Sequence, residues 1–282
     1  MIAYLNPLQG VEFSKLACVE PLVGARIHSW FRCYGNAYPF CDLWILYADA
    51  PAAVAGLQPR GGLYPQGIMA RYQGTLCLAC SMQVDWEELA DFVEQSGAVE
   101  LECTEPIMRQ LLPRMQFRLR ERQTMMTLPE EKARQFVAKM QPQLEQAQFA
   151  CNGKYREIYR ILSASFPQFE HYNEFTHWYV DMFARVKKAG SFLCALQQNG
   201  REVATAGVYN LSSQAGVIGS VATMPEYRQQ GYATLCVARC VQQLLEQRIP
   251  IYLVAARPEL EQYYARMGFE ACGIRCSAMQ NE

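Results

Sequence analysis

The sequence predicts an α/β fold with a mixed sheet, built as two related domains of which only the second is complete. Three observations lead there. Apolar runs of strand length alternate with amphipathic helical patterns along most of the chain. Residues 99–117 lie without gaps on residues 251–269. A strand–loop–helix unit at residues 219–233 carries a glycine-bearing loop that its counterpart in the first half lacks.

The start of the chain is ambiguous, but residues 23–31 can form a helix, with Leu22, Ala25, Ile27, Trp30 and Phe31 offering apolar surface after Pro21. From Asp42 the pattern becomes strand-like. Residues 43–47 and 52–57 are short apolar runs parted by Asp49-Ala50-Pro51, and Gly61-Gly62 breaks the chain after the second. Residues 75–80 form a further apolar strand. Asp85 is an N-cap type residue, with Glu87 and Glu88 in the first turn and Gly97 beyond the end, so a helix starts there. Residues 98–103 alternate as a strand, 106–115 read as a short helix, and 117–128 as a strand with a charged face. Residues 129–151, rich in Gln, Glu and Lys, read as a linker with a helix whose apolar side is Phe136, Val137 and Met140.

A second unit begins at Lys154. Tyr155, Ile158, Tyr159, Ile161 and Leu162 have helical spacing, which Phe166-Pro167 ends. A second helix over 173–188 repeats Trp178, Met182 and Val186 at four-residue steps. Strands follow at 191–197, 202–210 and 215–223, the first two joined as a hairpin by Asn199-Gly200. A helix over 233–247 buries Val237, Cys240, Val241, Leu244 and Leu245. A buried strand at 250–256, a short helix at 259–267 ended by Gly268, and a strand from Phe269 complete the chain.

In the internal repeat, Leu101, Pro106, Gln110, Arg114, Met115 and Phe117 coincide with Leu253, Pro258, Gln262, Arg266, Met267 and Phe269. Upstream, the strand at 75–81 and the helix at 85–94 match the strand and helix around the glycine loop. The second copy takes about ten more residues, and those absent from the first are read as the loop itself. The organisation expected is an N-terminal domain over 1–130, a linker over 131–152 and a C-terminal domain over 153–282.

Composition narrows the function classes. The 282 residues favour two domains, and with 51% apolar and 19% charged residues the chain can bury a sizeable core. A formal net charge of −1 argues against nucleic acid or an anionic membrane as the main partner. No apolar run approaches the roughly 20 residues of a membrane span, and the start lacks the basic and apolar regions of a secretory signal. The expected compartment is cytoplasmic. Twelve cysteines are scattered through apolar runs, where they act as small hydrophobes in a reducing compartment. Cys77 and Cys80 form a C-x-x-C inside a strand, but no second Cys or His pair follows at zinc-like spacing, and His28, His171 and His177 form no ligand motif. No metal site is expected.

The chemistry concentrates at the glycine loop. A strand leading through a loop into a helix aims the helix's unpaired first-turn amides outward, and such a terminus attracts phosphate. Gly231 lets backbone approach a pyrophosphate, and the N–H groups from Gln229 to Ala233 can form an anion nest. Arg228 either supplies a nearby positive charge or orders the loop. Ala233 keeps the helix start close to its ligand.

Residues 221–233, Val-Ala-Thr-Met-Pro-Glu-Tyr-Arg-Gln-Gln-Gly-Tyr-Ala, resemble the acetyl-CoA signature of the GNAT N-acetyltransferases, Arg/Gln-x-x-Gly-x-Gly/Ala. Tyr263-Tyr264-Ala-Arg-Met-Gly268-Phe269 looks like the same family's closing helix and Gly-Phe turn. The resemblance covers roughly residues 150–282 and makes the first half a degenerate GNAT-like copy. Ala233 stands where Gly is common, and Thr223 where an aliphatic residue is usual.

The resemblance implies acetyl-CoA as co-substrate, bound by Val221, Ala222, Thr223, Arg228, Gln229, Gln230, Gly231, Tyr232, Ala233 and Thr234. It implies that the strand edge at 221–223 pairs with the pantetheine arm. The N–H of Val221 then faces the thioester carbonyl, a contact whose loss typically costs on the order of 3 kcal/mol. Tyr264, four residues before Gly268, is the catalytic candidate. A phenol near pKa 10 lies about 1.5 units above a thiol near 8.5, so full proton transfer is uphill by roughly 2 kcal/mol and hydrogen-bonding to the thiolate is the safer role. For the base, Glu202, Glu226, Glu170 and a water relay all stand open. The acceptor is a small-molecule or peptide amine, selected by the helices at 154–188 and by the N-terminal half, which either roofs the site or forms a homodimer. The function implied is an acyl-CoA-dependent N-acyltransferase. The alternative is a non-catalytic acyl-CoA-binding or regulatory module.

Overall fold

The computed structural model describes residues 1–281. The chain forms two compact units. The first holds Met1–Met126, Ala255–Glu261 and the segment from Ala271 onward; the second holds Thr127–Val254 and Gln262–Glu270.

The first unit contains β1 (Ile2–Tyr4), α1 (Gly10–Leu16), α2 (Pro21–Cys33), β2 (Cys41–Ala48), β3 (Tyr64–Tyr72), β4 (Thr75–Cys80), α3 (Trp86–Gln95), β5 (Glu100–Thr104), α4 (Glu105–Leu111) and β6 (Phe117–Leu128), whose last two residues fall in the second unit. The following elements are α5 (Glu130–Gln146), β7 (Gln148–Cys151), α6 (Tyr155–Ser165), α7 (Phe169–Tyr172), α8 (Phe175–Ala184), β8 (Phe192–Gln198), β9 (Arg201–Leu211), β10 (Gly216–Thr223), α9 (Tyr232–Glu246), β11 (Ile251–Ala255), α10 (Pro258–Ala265) and β12 (Glu270–Gln280).

In the first unit β1 to β4 run as antiparallel neighbours, and β4 pairs parallel with β5. The last strand of the chain, β12, then lies antiparallel to β5, with Cys276 opposite Cys103 and Ser277 opposite Glu102. Leu89 and Val93 of α3 and Ile107 and Leu111 of α4 close over Leu76, Leu78, Leu101 and Ala278. In the second unit β7 to β10 are antiparallel neighbours and β10 pairs parallel with β11. Alternate residues of β8 serve opposite faces, as a strand's two-residue period requires. Leu193 and Ala195 meet Ile158, Ile161 and Leu162 of α6, while the Cys194 thiol sits 3.7 Å from the Cys236 carbonyl of α9. The mixed sheet with helices on its faces is the expected fold class, and both copies share the order of three antiparallel strands, helix, parallel strand, helix.

The repeat holds in element order, but the length difference is distributed otherwise than the sequence suggests. From Thr75 to Glu100 the first copy takes ten residues fewer than the second takes from Gly216 to Ile251. Strand β10 is two residues longer than β4, the loop at 224–231 three longer than that at 81–85, and α9 five longer than α3. The glycine loop therefore accounts for only a part of the insertion.

Residues 52–57 are turns rather than strand, held by Ala53 N–H to Pro65 O at 3.1 Å and Leu57 N–H to Val54 O at 3.4 Å. The strand next to β2 is instead β3, which the sequence conceals behind Pro65 and Gly67. All twelve cysteines are free thiols, and burial pushes those of Cys77 and Cys80 above the usual range. Among the described residues, no helix is long and apolar enough to cross a membrane.

Candidate functional site

Strand β10 is distorted where the sequence places the site. Its register with β9 passes from Gly219–Gly207 to Ala222–Thr205, so three steps of β10 oppose two of β9. This is a β-bulge, and Ser220 takes the left-handed conformation at φ 50° to make it. Toward β11 the pairing runs only from Gly216–Ile251 to Ile218–Leu253. Beyond that point Val221, Ala222 and Thr223 form a strand edge with no β11 partner among the described residues. Ala222 is buried beneath α6, whereas Val221 and Thr223 are half-buried. The Thr223 carbonyl accepts from Ser165 Oγ of α6 and from Arg228 Nε, each at 3.2 Å. Arg228 thus straps the loop to the strand end.

The loop turns through Pro225–Tyr227, and Arg228 N–H closes that turn on Pro225 O at 3.3 Å. Gln229 and Gly231 then adopt φ 63° and 79°. Gly231 caps α9 without a side-chain bond, and nothing lies within 4 Å of the position a Cβ would take. The next backbone amide with an acceptor is that of Leu235, bonded to Gly231 O at 3.1 Å. Among the described residues, the amides of Gln229, Gln230, Gly231, Tyr232, Ala233 and Thr234 meet no protein acceptor, and the helix dipole adds to their positive potential. The same place in the first copy is closed. Asp85 Oδ1 accepts the amides of Glu87 at 3.0 Å and Glu88 at 3.1 Å, and three carboxylates surround that helix start. An anion is welcome at α9 and repelled at α3.

Tyr264 is buried, at 6% exposure, with its ring edge-on to Tyr263 at 5.1 Å and to Phe269 at 5.9 Å. Burial raises its pKa above the ordinary phenol value, with the neighbouring Tyr263 adding to the shift. Its neighbour does what the sequence does not foretell. The Tyr263 hydroxyl lies 3.0 Å from Thr234 Oγ1 and ties α10 to the first turn of α9. Gly268 follows at φ 98°, and a Cβ there would come within 3.2 Å of Lys132 Cβ, so the Gly-Phe turn is required both by conformation and by the approach of α5.

The carboxylates considered as bases fare differently. Glu202 is buried and engaged by Gln197 Nε2 at 2.8 Å and Lys154 Nζ at 3.6 Å. Burial alone would raise its pKa, but these partners outweigh burial and hold the carboxyl below its usual range. It serves as an anchor at the start of β9. Glu226 and Glu170 are exposed.

A cleft of about 540 Å³ opens beside the start of α9, lined by one face of α5, by Thr234 and by Tyr263 and Arg266 with the Gly268 turn. The sequence places Phe136 and Met140 on the apolar side of this helix but gives the face no cleft. The signal for the face was the spacing of Lys132, Gln135, Phe136, Lys139 and Met140, which recur at three and four residues.

Residues 155–269 match the family model described as the acetyltransferase (GNAT) family. No curated protein sequence matches the chain significantly. Among solved structures, a tandem GNAT protein from the clavulanic acid biosynthesis pathway is similar over 100% of this chain and 99% of its own, at 12% identity and a TM-score of 0.58. A GNAT-family acetyltransferase from Colwellia psychrerythraea is similar over the full length of both chains, at 13% identity and a TM-score of 0.54. A GCN5-related N-acetyltransferase from Kribbella flavida covers 76% of this chain and 86% of its own, at 14% identity and a TM-score of 0.56. Residues 155–269 thus form a domain of the GNAT acetyltransferase family, in a chain whose whole length has the fold of a tandem GNAT protein.

Proposed function

We propose that this protein transfers an acyl group, most simply acetyl, from its coenzyme A thioester to a primary amine by direct attack, using the second copy alone. The observation that carries this reading is the row of unpartnered amides from Gln229 to Thr234, set beside a strand edge that β11 leaves open. The fit to the cofactor is chemical. A pyrophosphate needs closely spaced N–H donors at a helix start, and an amide-bearing arm needs a free strand edge. Acetyl-CoA would supply the activated acyl group; the protein's own groups do the rest. Gln229 to Thr234 hold phosphate, the edge at Val221 to Thr223 orients the arm, and the Val221 amide stabilises negative charge at the thioester oxygen.

Tyr264 supports the protonation half of the reaction. With its pKa raised by burial, it stays a neutral phenol throughout the neutral range and the gap above a thiol widens. Its role is to donate a hydrogen bond to the departing thiolate, not to surrender the proton outright. Water serves as the base, since Glu202 is held by its own partners. Twelve free thiols fit a reducing compartment, the cytoplasm.

Release of free thiol from acetyl-CoA, followed across a panel of amines, tests this reading. Turnover is expected with at least one amine, and Tyr264→Phe should lower kcat by about 100-fold while cofactor-induced thermal stabilisation persists. Full activity in Tyr264→Phe would remove that residue from the chemistry. Stabilisation by acetyl-CoA with no turnover on any amine would identify a binding or regulatory module instead.

A further inference from the structure

The cleft beside α9 is lined by cations that have nothing to hold. Lys139 on α5 and Arg266 just beyond α10 are exposed, and their side chains have no partner among the described residues, whereas Lys132 is already paired with Glu270. Among the described residues, no carboxylate lines the cleft. Gln135, Thr234 and Tyr263 add neutral polar groups, and the apolar part of the lining is Phe136 and Met267, 8% and 6% exposed, with Met140 half-buried. A cavity of about 540 Å³ suits a nucleoside-sized group, and an apolar floor with two free cations at its rim suits a flat base attached to a phosphate. Thr234 joins this cleft to the amide row, because it both lines the cavity and belongs to the first turn of α9.

We propose that α5, the helix joining the two copies, is a wall of the cofactor site, and that Lys139 and Arg266 bind the 3′-phosphate of the coenzyme's adenosine end. This rests on the reading of residues 221–234 as an acyl-CoA site and adds a specificity to it. The diphosphate takes the uncharged amides of the loop. The doubly charged 3′-phosphate takes the two side-chain cations, and the adenine lies against Phe136 and Met140. Arg266 comes from the closing motif, but Lys139 lies outside both GNAT-like motifs. The segment between the copies therefore decides which form of the coenzyme is accepted.

Isothermal titration of the full chain with CoA and with 3′-dephospho-CoA at one fixed salt concentration tests this. The wild type should bind CoA at least about tenfold more tightly than 3′-dephospho-CoA. In the double variant Lys139→Gln/Arg266→Gln that ratio should fall to about two or less, through weaker binding of CoA alone. Unchanged affinity for 3′-dephospho-CoA shows that the variant is folded and its amide row intact. Arg134→Gln, whose guanidinium pairs with Glu130 on α5, should leave the ratio as in the wild type. Equal affinities for the two nucleotides in the wild type, or a ratio that survives the double substitution, would overturn the inference and leave the cofactor reading standing. If the wild type bound neither nucleotide, the cofactor reading would fall and the inference with it.

Discussion

Glu102 shows how a single buried charge is made tolerable here, and at what pH that arrangement ends. Its side chain is 9% exposed, and Oε2 accepts from Arg26 and from Arg275, the latter at 3.2 Å. The Cys77 thiol approaches the same oxygen at 3.8 Å. Burial alone would raise the carboxyl's pKa; the two guanidiniums outweigh it and hold the group below its usual range. The folded value therefore lies below the unfolded one. The stabilisation is present above the unfolded carboxyl pKa and is lost as pH falls through the folded value. Glu102→Gln keeps the shape but leaves two cations facing a neutral amide, so it should cost about 3 kcal/mol at pH 7. Because the variant has nothing left to protonate there, its urea midpoint should fall less between pH 5 and pH 3 than that of the wild type, Glu202 remaining in both as a second carboxyl held below its usual range. Parallel losses in both proteins would mean that the acid sensitivity arises elsewhere.

At the scale of elements, α3 and α9 are one helix in two states of readiness. Asp85 satisfies the start of α3 from within, and its removal in Asp85→Ala should cost about 1 kcal/mol of stability. Gly231 leaves the start of α9 open, with no side-chain cap. Gly231→Asp would place a carboxylate at the start of α9, on a left-handed backbone at φ 79° where Asp85 is extended at φ −75°. Asp tolerates a positive φ better than most residues, so the strain should be limited to about 1 kcal/mol. The new carboxylate would face the phosphates of the proposed cofactor, and CoA affinity should fall by about 100-fold in titration calorimetry. Retained affinity would mean that the amide row is not the cradle. Both states were partly legible in the sequence. Asp85 before Glu87 and Glu88 announces a cap, and Gly231 announces a left-handed turn; Asn199 and Gly200, at φ 50° and 74°, likewise form the turn their identities require. What stayed hidden depended on partners far along the chain. Strand β3 carries Pro65 and Gly67, which read as turn signals, yet Gln66 between them is fully buried with its amide on the Ala50 and Pro51 carbonyls. The bulge at Ser220 and the bond from Tyr263 to Thr234 leave no local pattern, because each is set by what lies across the strand or helix.

Across the whole molecule, the order of the sequence and the membership of the folded units part company. The first unit is completed by the last strand of the chain: β12 lies against β5, and Arg275 reaches Glu102 across 173 positions of sequence. No apolar pattern could have revealed this, since Cys276 and Ala278 bury equally well on whichever strand edge β12 joins. The first half of the sequence therefore lacks one strand of the unit it belongs to, and should not fold by itself. A chain ending at Glu270 would leave the β5 edge without its antiparallel neighbour and expose Leu101 and Cys103 at that edge. It would also leave Arg26 as the only guanidinium on Glu102. Hydrogen exchange should then show loss of protection across the amides of β4 and β5, although the deletion lies more than 150 residues away from them in sequence. A fragment of residues 1–130 should behave similarly and aggregate in proportion to concentration, because an unpaired apolar strand edge templates further pairing. Adding a synthetic peptide of residues 270–282 to that fragment should restore protection at β5, by supplying the strand that the rest of the chain normally delivers. If the fragment were protected at β5 without the peptide, the closing role of β12 would be refuted.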